Sequence, residues 1–92
     1  MKSRKAQDQG HNPRLKAAFL QVVANQLRAN DPPEVRQTFD RLVAQGISAQ
    51  DAKIYIAQAV CVEIYDTLKN KKPFNRERYL KNLKRLPKEP LE

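Results

Sequence analysis

Glu63 and Asp66 are the pair in this chain whose type and spacing come nearest to chemistry. Three residues apart on a helix, two carboxylates share a face, where they can divide acid and base roles or hold a hard cation. Asp51 is the third acid that folding could bring toward them. The plainer reading of such spacing is a solvated acidic strip, and no Glu-x-x-His pattern supports a metal. The one histidine, His11, sits in a polar N-terminal stretch, away from any pocket. The one cysteine, Cys61, falls among apolar residues. A nucleophilic thiol needs exposure, a lowered pKa and a base, so Cys61 is expected to be a buried structural thiol. The two glycines, Gly10 and Gly46, stand in no phosphate-cradling motif. No catalytic residue, no metal site and no small-molecule cofactor is expected.

Charge offers a second kind of chemistry. The net charge is +8, unevenly spread. Residues 1–30 hold six basic and one acidic residue, residues 31–66 three and six, and residues 67–92 nine and three. The last segment places Lys69, Lys71, Lys72, Arg76, Arg78, Lys81, Lys84, Arg85 and Lys88 together, with Phe74 and Tyr79 interleaved. Cations can meet phosphates, and aromatics among them can stack on unpaired bases. The competing reading is a solvated surface helix whose lysines keep a small protein in solution, with both aromatics in the core.

Helices must position these groups. Pro13 fits a first helical position with Asn12 as cap, and Leu15, Phe19, Val22, Val23 and Leu27 recur at steps of three and four. That predicts a first helix to about Ala29, closed by Asn30 in the left-handed conformation. A second is predicted from Pro32 to about Gln45, with Asp31 as cap, Glu34 completing a variant capping box, and a buried stripe of Val35, Phe39, Leu42 and Val43. Gly46 supplies the positive φ that stops it. Ser48, with Asp51 three on, starts a third helix that runs to about Asn70. Ile54, Ala57, Cys61, Ile64, Tyr65 and Leu68 line one of its faces; Tyr55, Ile56, Ala59 and Val62 make another. A helix apolar on most sides is a central one. A fourth begins after Asn75 and stops before Pro87, with Tyr79, Leu80, Leu83 and Leu86 inward and Arg78, Lys81, Lys84, Arg85 and Lys88 outward.

The fold class expected is therefore all-α: a compact four-helix domain over residues 12–87 with a long central third helix. Residues 1–11 read as a disordered basic tail and 88–92 as a disordered C-terminus, with Leu91-Glu92 a cloning remnant. A single cysteine suits a reducing compartment. The longest apolar stretch, Ile54 to Tyr65, is interrupted by Gln58 and Glu63, so no membrane span is expected. No apolar segment follows the basic N-terminus, so no secretory signal is read and the cytoplasm is the expected setting. The corner Gln45-Gly46-Ile47-Ser48 has the order of a DNA-reading helix-turn-helix. The following helix, however, opens Ala49-Gln50-Asp51-Ala52, acidic where phosphates would approach, and it is too long and apolar to lie free in a groove.

Several groups of residues give the chain a resemblance: Asn25-Gln26-Leu27, Asn30-Asp31-Pro32-Pro33-Glu34, Gly46-Ile47-Ser48 with Asp51-Ala52-Lys53, Glu63-Ile64-Tyr65-Asp66 with Leu68-Lys69, and Arg78-Tyr79 with Leu86-Pro87. From Asn12 to Pro87 the chain resembles a family of small uncharacterised bacterial all-helical proteins. The resemblance implies a bacterial cytoplasmic origin and carries no activity, cofactor or site. If the first helix packs on the third, Asn25, Gln26, Glu63 and Asp66 could form one polar cluster. The functional expectation is a non-catalytic module that binds another protein or itself. The alternative is a nucleic-acid accessory protein using the nine cations from Lys69 to Lys88.

Overall fold

The structure, a computed structural model, describes residues 13–91. The expected basic tail, His11 and the Asn12 cap lie outside the described residues, as does Glu92. Four helices follow in order: α1 (Pro13–Ala29), α2 (Pro33–Ala44), α3 (Ala49–Asn70) and α4 (Arg76–Arg85). No strand occurs among the described residues. The all-α four-helix expectation is met, and the predicted boundaries hold to within a residue or so.

The local signals explain most of the boundaries. Asn30 adopts φ 53° and closes α1, while the Asp31 N–H returns to the Gln26 carbonyl at 3.1 Å. The start of α2 differs from expectation. Pro32, not Asp31, is the cap residue, extended at φ −75° and ψ 151°, with no side-chain cap bond. The cause is Pro33: its ring forces the preceding residue out of helical geometry, so the helix starts one residue later and Asp31 is too far out to cap it. Glu34 Oε1 has no partner among the described residues, so the capping box does not form. Ser48 does cap α3, its Oγ accepting from the Asp51 N–H at 3.0 Å. Asn75 caps α4 by accepting from the Arg78 N–H at 2.9 Å.

Gly46 ends α2 at φ +95°. The Gly46 and Ile47 N–H groups reach back to the Val43 and Leu42 carbonyls at 3.0 and 3.1 Å. A Cβ added there would meet nothing within 4 Å, so any penalty is conformational rather than steric. Gly46→Ala should therefore cost about 1 kcal/mol in urea unfolding, and Gly46→Asn, which tolerates positive φ better, should cost less. Equal losses for both would mean that the backbone angle is not the cause.

The core gathers Val23 and Leu27 from α1, Val35 and Leu42 from α2, and Tyr79 and Leu83 from α4 around α3. Both α2 and α3 pack against all the other helices, whereas the backbones of α1 and α4 stay apart and their side chains Gln26 and Tyr79 bridge them. Two predicted stripes need correction. On α2, Thr38 is buried and Val43 is exposed. On α3, the deepest line is Ala52, Ile56, Ala59, Val60 and Glu63; Cys61 and Ile64 are half-buried, and Tyr65 and Leu68 are exposed. Small Ala52 and Ala59 share this line with the larger Ile56, Val60 and Glu63, while Tyr65 and Leu68 lie off it. On α4, Tyr79 and Leu83 are buried as expected, as is Leu86 just after it, while Leu80 is half-buried and Asn82 joins the buried side.

Candidate functional site

Glu63 is 0 % exposed, an acid at the centre of the helix packing. The structure brings it together with Asp66, as the spacing suggested, and adds Arg78, which was expected to face solvent. Arg78 Nε donates to Glu63 Oε2 at 2.6 Å, and its Nη2 donates to Glu63 Oε1 and Asp66 Oδ2, each at 2.9 Å. The Asn75 N–H adds a bond to Glu63 Oε1 at 3.0 Å. Asp66 Oδ1 accepts from Asn70 Nδ2 at 2.6 Å. Hydrogen bonding from Asn70, then from Arg78, holds the Asp66 carboxyl below its ordinary 3.8. The same two acids, Glu63 first, hold the Arg78 guanidinium protonated beyond its usual range. A fork of N–H donors matched to two carboxylates is a clamp that fixes α4 on α3. Its lone pairs are engaged on the protein itself.

Asp51 does not join this cluster. It stands in the first turn of α3, twelve residues from Glu63, which is about 18 Å along a helix axis. Asn25 also stays apart, bonded to Gln21 and Arg28 on the surface of α1. Gln26 instead meets α4: the buried Tyr79 hydroxyl donates to Gln26 Oε1 at 2.6 Å. Among the described residues, no group of three or more His, Cys, Asp or Glu side chains is placed to hold a metal ion.

Burial raises the Tyr79 phenol above its ordinary value of 10.0. The folded state therefore favours the neutral form. That preference contributes stability in full below pH 10 and is lost as pH rises from there toward the folded value. Unfolding free energy should fall by up to about 1.4 kcal/mol per pH unit above pH 10 on this account. Tyr79→Phe removes the phenol, and the wild-type-minus-variant difference in urea unfolding should shrink steadily above pH 10. A difference that stays constant to pH 11.5 would sink the prediction.

Two positioning residues carried little signal in the sequence. Arg41 reaches from α2 to the end of α4, donating to the Leu83 and Leu86 carbonyls at 2.9 Å each and more weakly to Lys84 at 3.4 Å. Asn82 is wholly buried. Its amide donates to the Leu91 carbonyl at 2.9 Å and its oxygen accepts from the Leu91 N–H at 2.7 Å. The segment after Pro87 is thus tied back to α4, where a disordered end was expected. The physical reason is that an amide matches a peptide group donor for acceptor. Asn82 lies three residues after Tyr79 on the apolar stripe, which is the signal that could have revealed it.

This returning segment makes one wall of an open groove of about 960 Å³. The other wall is the outer face of α3, with Tyr55, Val62, Tyr65 and Lys69, while Pro87 and Glu89 come from the C-terminal segment. Beside it, Leu68 is 67 % exposed and Tyr65 39 %. Tyr65 is braced edge-on by Phe19 of α1, with ring centroids 6.3 Å apart.

The cations divide. Lys69, Lys71, Lys72, Arg76, Lys81, Lys84 and Lys88 are exposed. Arg78 is committed to Glu63 and Asp66 and is half-buried. Arg85 is also half-buried; it turns toward the Glu89 carbonyl at 3.4 Å, and its Nε is buried. Phe74 is 41 % exposed and Tyr79 is core. Ala52 and Ile56, in the first turns of α3, are fully buried, while Asp51 in the same stretch is exposed, which leaves an acid where a helix-turn-helix would meet phosphates.

A sequence family described as Domain of unknown function (DUF1841) matches residues 2–85. The chain belongs to this family. Its match covers all four helices, including the Glu63–Arg78 clamp and Arg41, and ends just before Leu86. No curated protein and no solved structure matches the chain. Among the described residues, no helix is long and apolar enough to cross a membrane.

Proposed function

We propose that this DUF1841 chain is a non-catalytic interaction module that works through the outer face of α3, and that the occupant of that face is a second copy of the chain. The observation that carries the reading is Leu68 and Tyr65, exposed on the helix whose opposite side forms the core. The acids that could do chemistry are engaged with Arg78 and Asn70, which supports a binding role over a catalytic one.

A two-fold contact needs a patch complementary to itself. The groove offers apolar Tyr55, Val62 and Tyr65 between charges of opposite sign, so Lys69 of one copy can meet Glu89 of the other. Most of this face is drawn from residues 31–66, the acidic third of the chain, so two copies can approach along it without opposing their lysines. A core of this size supplies only about 3–5 kcal/mol, and association adds to it. A bacterial cytoplasmic setting, with Cys61 reduced, belongs to the same reading.

Sedimentation equilibrium across a concentration series tests it. The mass should rise from 10.6 kDa toward twice that value. A Tyr65→Ser, Leu68→Asp double variant should stay at the monomer mass with unchanged helical circular dichroism. A wild-type chain that remains monomeric to millimolar concentration, or a dimer indifferent to both substitutions, overturns the proposal.

A further inference from the structure

The basic surface beyond the α3 groove has its own logic. Lys81 and Lys84 stand at i and i+3 on one face of α4, and Lys88 follows in the turn beyond it, where the extended backbone of Leu86 ends the helix. Lys71, Lys72 and Arg76 flank the α3–α4 loop at the other end. All six are exposed, and none lies within ion-pair distance of a described carboxylate. The acid on this face is Glu77, in the first turn of α4, where it complements the helix dipole. Lys72 acts on Asp66 through the field, and Glu77 offsets part of the charge, but the cations outnumber these acids; like charges in excess repel each other, and a bound polyanion relieves that repulsion.

Phe74 stands inside this set. Its ring is exposed, yet it is held rather than loose. It packs edge-on against the buried Tyr79 ring, with centroids 5.4 Å apart. The next residue is pinned twice: the Asn75 N–H to Glu63, and the Asn75 side chain to the Arg78 N–H. On the other side, the Lys71 N–H bonds the Thr67 carbonyl at 3.0 Å and its φ of 58° turns the chain out of α3. A preorganised, exposed aromatic ring in a loop whose sequence neighbours Lys71, Lys72 and Arg76 are exposed cations is what a stacked base requires, and stacking needs an unpaired base.

We infer that the surface formed by the 71–76 loop and the outer face of α4 binds single-stranded nucleic acid, with phosphates on the lysines and a base stacked on Phe74. Roughly four phosphate contacts give a salt slope near −3 on single strands, so affinity should fall about 50-fold between about 50 and 200 mM salt. The buried Glu63–Arg78 clamp serves only to hold the loop.

Fluorescence anisotropy with labelled oligo-deoxythymidine and oligouridine tests this, with a mixed-sequence duplex and phosphatidylserine vesicles as comparators. Lys81→Glu with Lys84→Glu and Lys88→Glu should weaken single-strand binding and lower the salt slope by about two. Phe74→Leu should weaken it about tenfold with the slope unchanged, because stacking is lost and no charge is. Both variants alter exposed positions and should keep the wild-type circular dichroism. The Tyr65→Ser, Leu68→Asp variant should bind as wild type does, which separates this surface from the α3 face. Absence of oligonucleotide binding at low salt overturns the inference. So does duplex binding as tight as single-strand binding with Phe74→Leu silent, or binding to vesicles alone.

Discussion

Replacing Arg78 by Met should unfold most of the molecule at room temperature. The substitution leaves the Glu63 carboxylate 0 % exposed and without its cation. Breaking a buried ion pair from one side costs about 3–5 kcal/mol, because the surviving charge keeps its desolvation penalty. A four-helix domain of this size holds about the same amount in total. The decisive comparison is a double variant, Arg78→Met with Glu63→Leu. Removing both charges removes the penalty, so the double variant should recover most of the loss. Urea unfolding followed by circular dichroism measures all three chains. A single Arg78→Met variant as stable as wild type would mean that Glu63 is not held as a buried charge.

The same clamp gives an acid dependence with a definite sign. The Asp66 carboxyl titrates below its unfolded value of 3.8, so its contribution is present above that pH and is lost as pH falls through the folded value. In the Arg78→Met, Glu63→Leu double variant the Asn70 bond remains and the Arg78 share is gone, so acid unfolding should be less steep below pH 4.

Glu63 also marks where sequence reasoning stops. Spacing could pair it with Asp66, because i and i+3 share a helix face whatever the tertiary fold. It could not assign Arg78 as the cation, since that contact joins residues fifteen apart through an interhelical packing that only the fold defines. Helical spacing placed Tyr65 and Leu68 on a buried stripe, and it passed over Ala52 and Val60, which the packing of the other helices buries. By contrast, Gly46, Ser48, Asn30 and Asn75 act within their own turns, so their roles were legible or nearly so. Pro33 belongs to the same local class, yet its effect on Pro32 shifted the α2 start by one residue. The candidate surfaces divide in the same way. The basic strip was legible as composition. Its loss of Arg78 depends on a contact across helices, whereas the turn of Arg85 toward Glu89 and the seating of Phe74 on Tyr79 depend on the path the chain takes just outside α4.

Arg41→Ala is expected to produce the second large loss, about 2–4 kcal/mol. The guanidinium satisfies the Leu86 carbonyl, beyond the last helical turn, and adds a bond to the Leu83 carbonyl that is shorter than the one this carbonyl accepts from the Leu86 N–H at 3.3 Å. Two hydrogen bonds from a charged donor contribute about 1.5–3 kcal/mol each at most, and water can replace part of that once the side chain is gone. A cation at a helix C-terminus adds about 0.3–1 kcal/mol through the dipole. The effect should spread beyond α4. Leu86 leads directly into the segment that Asn82 ties back through Leu91, so hydrogen exchange should accelerate at Leu91 as well as in the last turn of α4. Arg41→Lys is the informative control. It keeps the charge and the dipole interaction but loses the planar fork that reaches two carbonyls at once, so it should recover less than half of the loss. Full recovery by lysine would mean that the end of α4 needs a positive charge and not this geometry. The clamp at Glu63 and the reach of Arg41 would then differ in kind: one fixes where α4 starts, and the other merely balances the field where it ends.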